Sequence, residues 1–141
     1  MMTNHAIYLP ALAMVAITFI VLGVMFTRRV AQMKRDRIHP QAVATSKQAA
    51  ERYTDVAPAD NFRNLFEMPM LFYLAIVVAA QTGQTGTTVL ALAWAYVALR
   101  AIHSAIHCSY NKVMHRFRAF ALSAFVLLAL WLVLAYGLIA G

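Results

Sequence analysis

The sequence predicts an all-α membrane protein, built as a bundle of four transmembrane helices. Hydrophobic residues make up 62% of its 141 residues and charged residues only 12%, about half the charged share of an ordinary soluble domain. Four apolar stretches are long enough, or nearly so, to cross a hydrocarbon core about 30 Å thick, which takes about 20 residues. The composition therefore favours lipid as the solvent for most of the surface.

The predicted helices follow one another with a single long connection. We expect one domain, residues 1–141, with spans at about residues 6–27, 61–81, 88–111 and 116–139. Pro10 suits the first turn of the first helix, where a missing N–H costs little. The second helix is predicted to begin before the membrane, among polar residues around Asp60 that lead into the apolar sequence. The connection 81–87 is short and uncharged, so it joins neighbouring antiparallel helices.

The basic residues lie at one predicted end of the bundle. Of the 12 Lys and Arg, seven lie between residues 28 and 60, and three more lie at Lys112, Arg116 and Arg118. Residues 1–5 and 81–87 carry none. By the positive-inside rule, both basic loops are cytoplasmic and both termini lie on the outer side. This distribution accounts for the net charge of +7 without nucleic acid, which we do not expect as a partner.

The second predicted helix carries polar residues at its entry to the membrane. Asp60, Arg63, Asn64 and Glu67 fall within about 100° of arc at ~100° per residue. Arg63 and Glu67 are four residues apart and are predicted to form an ion pair. The two charges of that pair either only neutralise one another at the helix entry or belong to a polar pocket. Asn64 and the nearby Pro69 favour the polar pocket.

The third predicted helix carries a polar stripe. Its members are Arg100, His103, Ser104, His107 and Asn111. Because lipid cannot satisfy polar groups, this stripe must face protein or water. Hydrogen bonding between helices accounts well for the presence of Ser104 and Asn111 in the stripe but poorly for that of Arg100. His103 and His107 also have the spacing of two metal ligands on a helix, but further ligands at suitable spacing are lacking, and no metal is expected.

The arginines on these helices indicate an anion site. We expect Arg63, Arg100 and Arg116, with Arg118 as a further candidate, to surround one cytoplasmic-side cavity that contains few acids. Guanidinium groups bind carboxylates through paired hydrogen bonds and lower the pKa of a nearby thiol. Such a cavity suits a small polyanion or a thiolate.

These motifs resemble those of the MAPEG family, the membrane-associated proteins of eicosanoid and glutathione metabolism, in a bacterial-type form. Arg63-Asn64-x-x-Glu67 is similar to one family signature, and Arg100-x-x-His103 followed by Arg116 is similar to a second. The resemblance covers nearly the whole chain. It implies a homotrimer in a bacterial inner membrane, with glutathione in a cytoplasm-facing cleft between subunits and a lipophilic cosubstrate that enters from the lipid.

The resemblance also implies roles for individual residues. His107 and Arg116 are the expected catalytic residues, although the catalytically competent branch usually has tyrosine at the position of His107. Phe117 stands where the prostaglandin synthase branch has serine. The residues expected to bind glutathione are Arg63, Asn64, Glu67, Arg100, His103 and Arg116.

The sequence is compatible with three functions. The first is a glutathione-dependent transferase or peroxidase that acts on lipophilic electrophiles. The second is a non-catalytic ligand-binding or scaffold protein with the same bundle, which the loss of the tyrosine favours. The third is a proton- or metal-linked transporter that uses His103 and His107, but four spans are few for a transporter and no inverted repeat is visible.

Overall fold

The computed structural model describes residues 5–140, and every regular element in that range is helical. Four helical segments are long and apolar enough to cross a membrane: His5–Arg35, Ala57–Gln81, Thr87–Cys108 and Val113–Ala140. The prediction of an all-α protein with four spans is therefore confirmed. The α-helices are α1 (Leu9–Arg35), α2 (Ser46–Arg52), α3 (Ala57–Asn64), α4 (Met68–Gln81), α5 (Thr87–Cys108) and α6 (Val113–Ala140).

The first helix extends well beyond its apolar run. It was expected to end near residue 27, but α1 continues to Arg35. Arg, Gln, Met and Lys have high helix propensity, so the helix continues beyond the apolar region. Gln32 in this extension is only 4% exposed. Its Nε2 donates to Asp36 at 3.0 Å, and its Oε1 accepts from the Thr54 N–H at 3.2 Å. Hydrogen bonds from Arg35 and Gln32 lower the pKa of Asp36.

The long basic segment is ordered against the ends of the spans. Its short helix α2 begins with a capping box between Thr45 and Gln48. Arg28 reaches from α1 to Asp55, at 3.2 Å, and to the carbonyl oxygen of Cys108, at 2.6 Å. These contacts join α1, the segment and the end of α5. We call this end of the bundle, which also includes the start of α6, the basic end.

The second span is broken within the polar stretch, residues 60–67, whose side chains were expected to share one helical face. Helix α3 ends at Asn64 and α4 begins at Met68, with Glu67 between them at φ −89° and ψ −96°. Pro69 is the cause, because it has no N–H to donate to the Leu65 carbonyl and its ring crowds that carbonyl.

The membrane part of the bundle is packed around apolar side chains of all four spans. Phe72 of α4 stacks on Tyr96 of α5 with ring centroids 4.6 Å apart. At the end opposite the basic end, Gln84 donates to the Leu134 carbonyl at 3.2 Å and lies against Gly137, where a Cβ atom would collide with it. Large apolar side chains such as Phe19, Phe125 and Ile139 point outward. That surface suits lipid.

A buried amide joins α3 to α5. Asn61 is 0% exposed; its Nδ2 donates to Cys108 Sγ at 3.3 Å, and its Oδ1 accepts from Ser104 Oγ at 3.2 Å. We expect Asn61→Ala to lower the free energy of unfolding by about 1–2 kcal/mol, because it leaves a buried hydroxyl without its partner. Denaturant titration in detergent measures this loss. Ser104→Ala should lower the free energy of unfolding by less than Asn61→Ala does. The double variant should lower it by less than the sum of the two single losses. Additive losses would contradict the link.

Candidate functional site

The break between α3 and α4 changes the hydrogen bonding of Asn64. In an unbroken helix its carbonyl would accept from the Met68 N–H. Here the carbonyl oxygen of Asn64 accepts from Arg100 Nη2 of α5 at 3.3 Å, together with a long contact of 3.4 Å from the Glu67 N–H. The break therefore provides an acceptor for an arginine that enters from another helix.

Arg100 is the largest fully buried side chain, at 0% exposure. Its guanidinium lies 5.6 Å from the ring centre of Phe120 on α6. Among residues 5–140, its Nε and Nη1 have no hydrogen-bond partner, and the same is true of Asn64 Oδ1. Buried donors without acceptors are costly, so a guanidinium with two unsatisfied nitrogens inside a membrane bundle points to a function rather than to stability.

The two histidines of α5 are held in defined tautomers by their partners. His103 Nδ1 lies 2.9 Å from the Arg116 carbonyl oxygen, and a carbonyl only accepts, so this nitrogen donates. In the neutral ring, Nε2 is then an acceptor, and it has no hydrogen-bond partner in the part of the chain that the structure describes. Arg116 Nη1 lies 2.8 Å from His107 Nε2. Because a guanidinium only donates, His107 Nε2 accepts and its proton is on Nδ1.

Arg116 borders a cavity of about 220 Å³ at the basic end. We call it the Arg116 cavity; its lining residues are Asn64, Glu67, His103, Val113, Arg116, Phe117 and Phe120. Within residues 5–140, neither Arg100 nor Arg116 forms an ion pair. The cavity thus combines a guanidinium that has no ion pair with Asn64 Oδ1 and His103 Nε2, two acceptors that have no hydrogen-bond partner in the described part of the chain.

The structure brings most of the expected site residues together, but it separates Arg63 from them. Arg63 forms its ion pair with Asp60, at 3.7 Å, and not with Glu67 as expected. It lines a second cavity of about 490 Å³ beside Arg29 and Tyr53. The helix break explains this, because the turn at residues 65–67 carries Glu67 away from the face that Arg63 occupies. Within residues 5–140, Arg63 and Arg116 therefore line different cavities instead of the single cavity expected around Arg63, Arg100 and Arg116.

Two further residues lie outside the Arg116 cavity. Arg118 is exposed and does not line it. Tyr110 is 57% exposed, and its hydroxyl lies 3.1 Å from His115 Nδ1. The only tyrosine close in sequence to His107 thus does not replace the tyrosine that the motif usually has.

The polar stripe of α5 faces protein as predicted, except at its last member. Arg100, His103, Ser104 and His107 are all at most 5% exposed. Helix α5 ends at Cys108, and Asn111 adopts a left-handed conformation with φ 48° instead of continuing the helix. Its Oδ1 nevertheless accepts from Arg116 Nη1 at 2.7 Å.

Within residues 5–140 no group of three or more His, Cys, Asp or Glu side chains could hold a metal.

Sequence reasoning missed Phe120 and underestimated Asn61. Phe120 lies four residues after Arg116, so both occupy the same face of α6, and it contacts Arg100 and His103. Asn61 lies three residues before Asn64, and a fully buried amide was not apparent among its polar neighbours. Helical spacing from Arg116 and Asn64 would have identified both positions.

Comparison with known proteins agrees with this geometry. The family model described as "MAPEG family" matches residues 7–136. No curated protein and no solved structure was found to match the chain. A match over nearly the entire chain, on a bundle of four membrane-spanning helices, identifies the family. The chain belongs to the MAPEG family, whose members are membrane glutathione transferases and peroxidases or related proteins.

Proposed function

We propose that the protein is a glutathione-dependent transferase or peroxidase of lipophilic electrophiles, and that glutathione binds at the Arg116 cavity. The observation that carries the proposal is that Arg116, which forms no ion pair within residues 5–140, lines one cavity with His103 and Asn64, whose Nε2 and Oδ1 have no hydrogen-bond partner among those residues. Glutathione has two carboxylates, an ammonium group and a thiol. It therefore offers anions to Arg116 and hydrogen-bond donors to Asn64, His103 and Glu67, a match of charge and hydrogen-bonding capacity.

The chemistry assigned to this site needs a thiolate. A guanidinium nearby stabilises the sulfur anion, so a larger share of the thiol is ionised, and the proton leaves to water. In the transferase reaction the sulfur attacks an electrophilic carbon, a C–S bond forms and the leaving group departs with the bonding electrons. In the peroxidase reaction two glutathiones reduce one hydroperoxide to alcohol and water and become a disulfide. A lipophilic cosubstrate would enter from the bilayer.

We further propose that a neighbouring subunit completes the cleft in a homotrimer. The Arg116 cavity, at about 220 Å³, is smaller than the ~300–1,000 Å³ typical of small-molecule sites. A second copy that closes it would also explain how Arg63, at the rim of a different cavity, could contact the same ligand. By the positive-inside rule, the basic end then faces the cytoplasm of a bacterial cell.

Glutathione should raise the thermal stability of the detergent-solubilised protein. A ligand at 100 times its Kd adds about 2.7 kcal/mol if only the folded state binds it. A glutathione analogue with methyl in place of the thiol is the matched probe, because it retains both carboxylates. Stabilisation by both compounds, with turnover of a hydrophobic aryl halide by glutathione alone, is the expected result. If neither compound stabilises the protein and no electrophile reacts, the proposal is wrong.

The second candidate is a non-catalytic binding protein. The position that is usually tyrosine is His107, and its Nε2 accepts from Arg116, while Tyr110 does not line the cavity and its hydroxyl lies 3.1 Å from His115 Nδ1. Stabilisation by glutathione without turnover of any electrophile or hydroperoxide would support this candidate over the first.

A further inference from the structure

Arg116 is held by a single nitrogen. Its Nη1 donates one hydrogen to His107 Nε2, at 2.8 Å, and the other to Asn111 Oδ1, at 2.7 Å. Nη1 carries two hydrogens, so both bonds can form together. Within residues 5–140 the Arg116 side chain makes no other hydrogen bond. Its Nε and Nη2 therefore stay available as a pair, the fork that binds a carboxylate in two parallel hydrogen bonds.

Asn111 reaches Arg116 because of an unusual backbone conformation. At φ 48° it lies in the left-handed region, which Asn tolerates better than most residues other than Gly. Its N–H donates to the Ile106 carbonyl at 2.9 Å, which turns the chain back at the end of α5. This turn carries the amide toward the first turns of α6, where Arg116 lies. The left-handed turn and the amide side chain are thus two separate contributions of Asn111.

His107 contributes through the same nitrogen of Arg116. It is 3% exposed, and its ring lies 5.5 Å from that of His103 at an interplanar angle of 87°. The Nε2 lone pair is taken up by Arg116, so it is not available to accept a proton from a substrate. The sequence assigned His107 a catalytic role by position, whereas this geometry gives it a role through Arg116.

We propose that Asn111 and His107 are positioning residues, which anchor Arg116 by Nη1 and thereby present its Nε and Nη2 to a carboxylate or thiolate in the Arg116 cavity. This inference rests on the proposed function for the identity of the ligand. The anchoring itself depends only on contacts within the chain. The two parts can therefore fail separately.

Asn111→Gly is the informative substitution. Glycine adopts positive φ without strain, so the turn is kept while the amide is lost. We expect roughly tenfold weaker binding of glutathione, because one hydrogen bond to a charged group is lost. Tyr110→Phe is the matched control: it changes the neighbouring residue, whose hydroxyl contacts His115 outside the cavity, and should leave the Kd unchanged. Calorimetric titration in detergent measures both.

Substitutions of His107 separate positioning from catalysis. Glutamine retains a side-chain acceptor, and phenylalanine has none. If His107 only positions Arg116, His107→Gln should retain most of kcat and KM, while His107→Phe should raise KM for glutathione by roughly tenfold. A collapse of kcat in His107→Gln with unchanged KM would instead make His107 a catalytic residue and overturn the proposal.

A spectroscopic readout tests the anchoring without any ligand. In protein with nitrogen-15 arginine, an anchored guanidinium rotates slowly, so its two Nη groups give separate NMR signals. We expect separate signals for Arg116 in the wild type and in Tyr110→Phe, and averaged signals in Asn111→Gly. Identical spectra for wild type and Asn111→Gly would overturn the anchoring. Separate wild-type signals without glutathione binding would leave the anchoring standing and refute the proposed function.

Discussion

Replacing Arg116 by alanine is expected to lower glutathione-dependent kcat by about 10²- to 10³-fold, the usual cost of removing one donor that stabilises a reacting anion. The reason is that this guanidinium forms no ion pair within residues 5–140, so its charge is available to act on the ligand. Steady-state rates with a hydrophobic electrophile measure the loss. Arg116→Lys should be intermediate, because it keeps the charge but loses the paired donors.

Arg118→Ala is the matched control for this experiment. Arg118 lies two residues further along α6, is exposed, and does not line the Arg116 cavity. Its removal changes the net charge by the same amount and should leave kcat and KM unchanged. Equal losses in the two variants would mean that Arg116 acts only through the overall charge of the basic end. Circular dichroism and thermal unfolding establish that both variants are folded.

Arg100→Met should weaken glutathione binding by 10-fold or more while the protein remains as stable as the wild type or becomes more stable. A buried charge without an ion-pair partner costs stability, and an apolar side chain of similar volume removes that cost. Within residues 5–140, only Nη2 of Arg100 has a hydrogen-bond acceptor, and Nε and Nη1 have none. The loss of binding follows if those free donors serve a ligand or its bound water.

Tyr96→Phe is the comparison for Arg100→Met. Tyr96 lies one turn earlier on α5, is also 0% exposed, and has a hydroxyl without a hydrogen-bond partner among residues 5–140. Its replacement should change neither stability nor glutathione binding appreciably. If Arg100→Met instead lowered the free energy of unfolding by more than about 2 kcal/mol, the role of Arg100 would be structural, to hold α5 against the break in the second span.

The α5 stripe could be predicted from the sequence because its information is local. Side chains three or four residues apart lie on one face of a helix, and polar groups there cannot face lipid. Burial of Arg100, His103, Ser104 and His107 follows from those two facts. The partners of these side chains could not be predicted, because they are a carbonyl at the break in the second span, the buried amide of Asn61 on α3, and Arg116 of α6.

The second span illustrates the opposite case. Its polar residues were read as one face of a continuous helix, which placed Arg63 opposite Glu67. A helix break of three residues, 65–67, is enough to change which residues share a face, and Arg63 pairs with Asp60 instead. Pro69 is the visible signal for that break, but its consequence for Arg63 depends on how α3 packs against α1 and α5.

By itself the sequence determined the four-span, all-helical architecture and the polar stripe of α5. Hydrophobicity and helical periodicity are properties of short segments, and a membrane span must satisfy its backbone within one segment. Only the tertiary structure decided that Arg116 is anchored by His107 and Asn111, that Asn64 meets Arg100, and that Arg63 lies apart. These depend on where a helix breaks and how the turn after α5 closes, since a shift of one residue would change each partner.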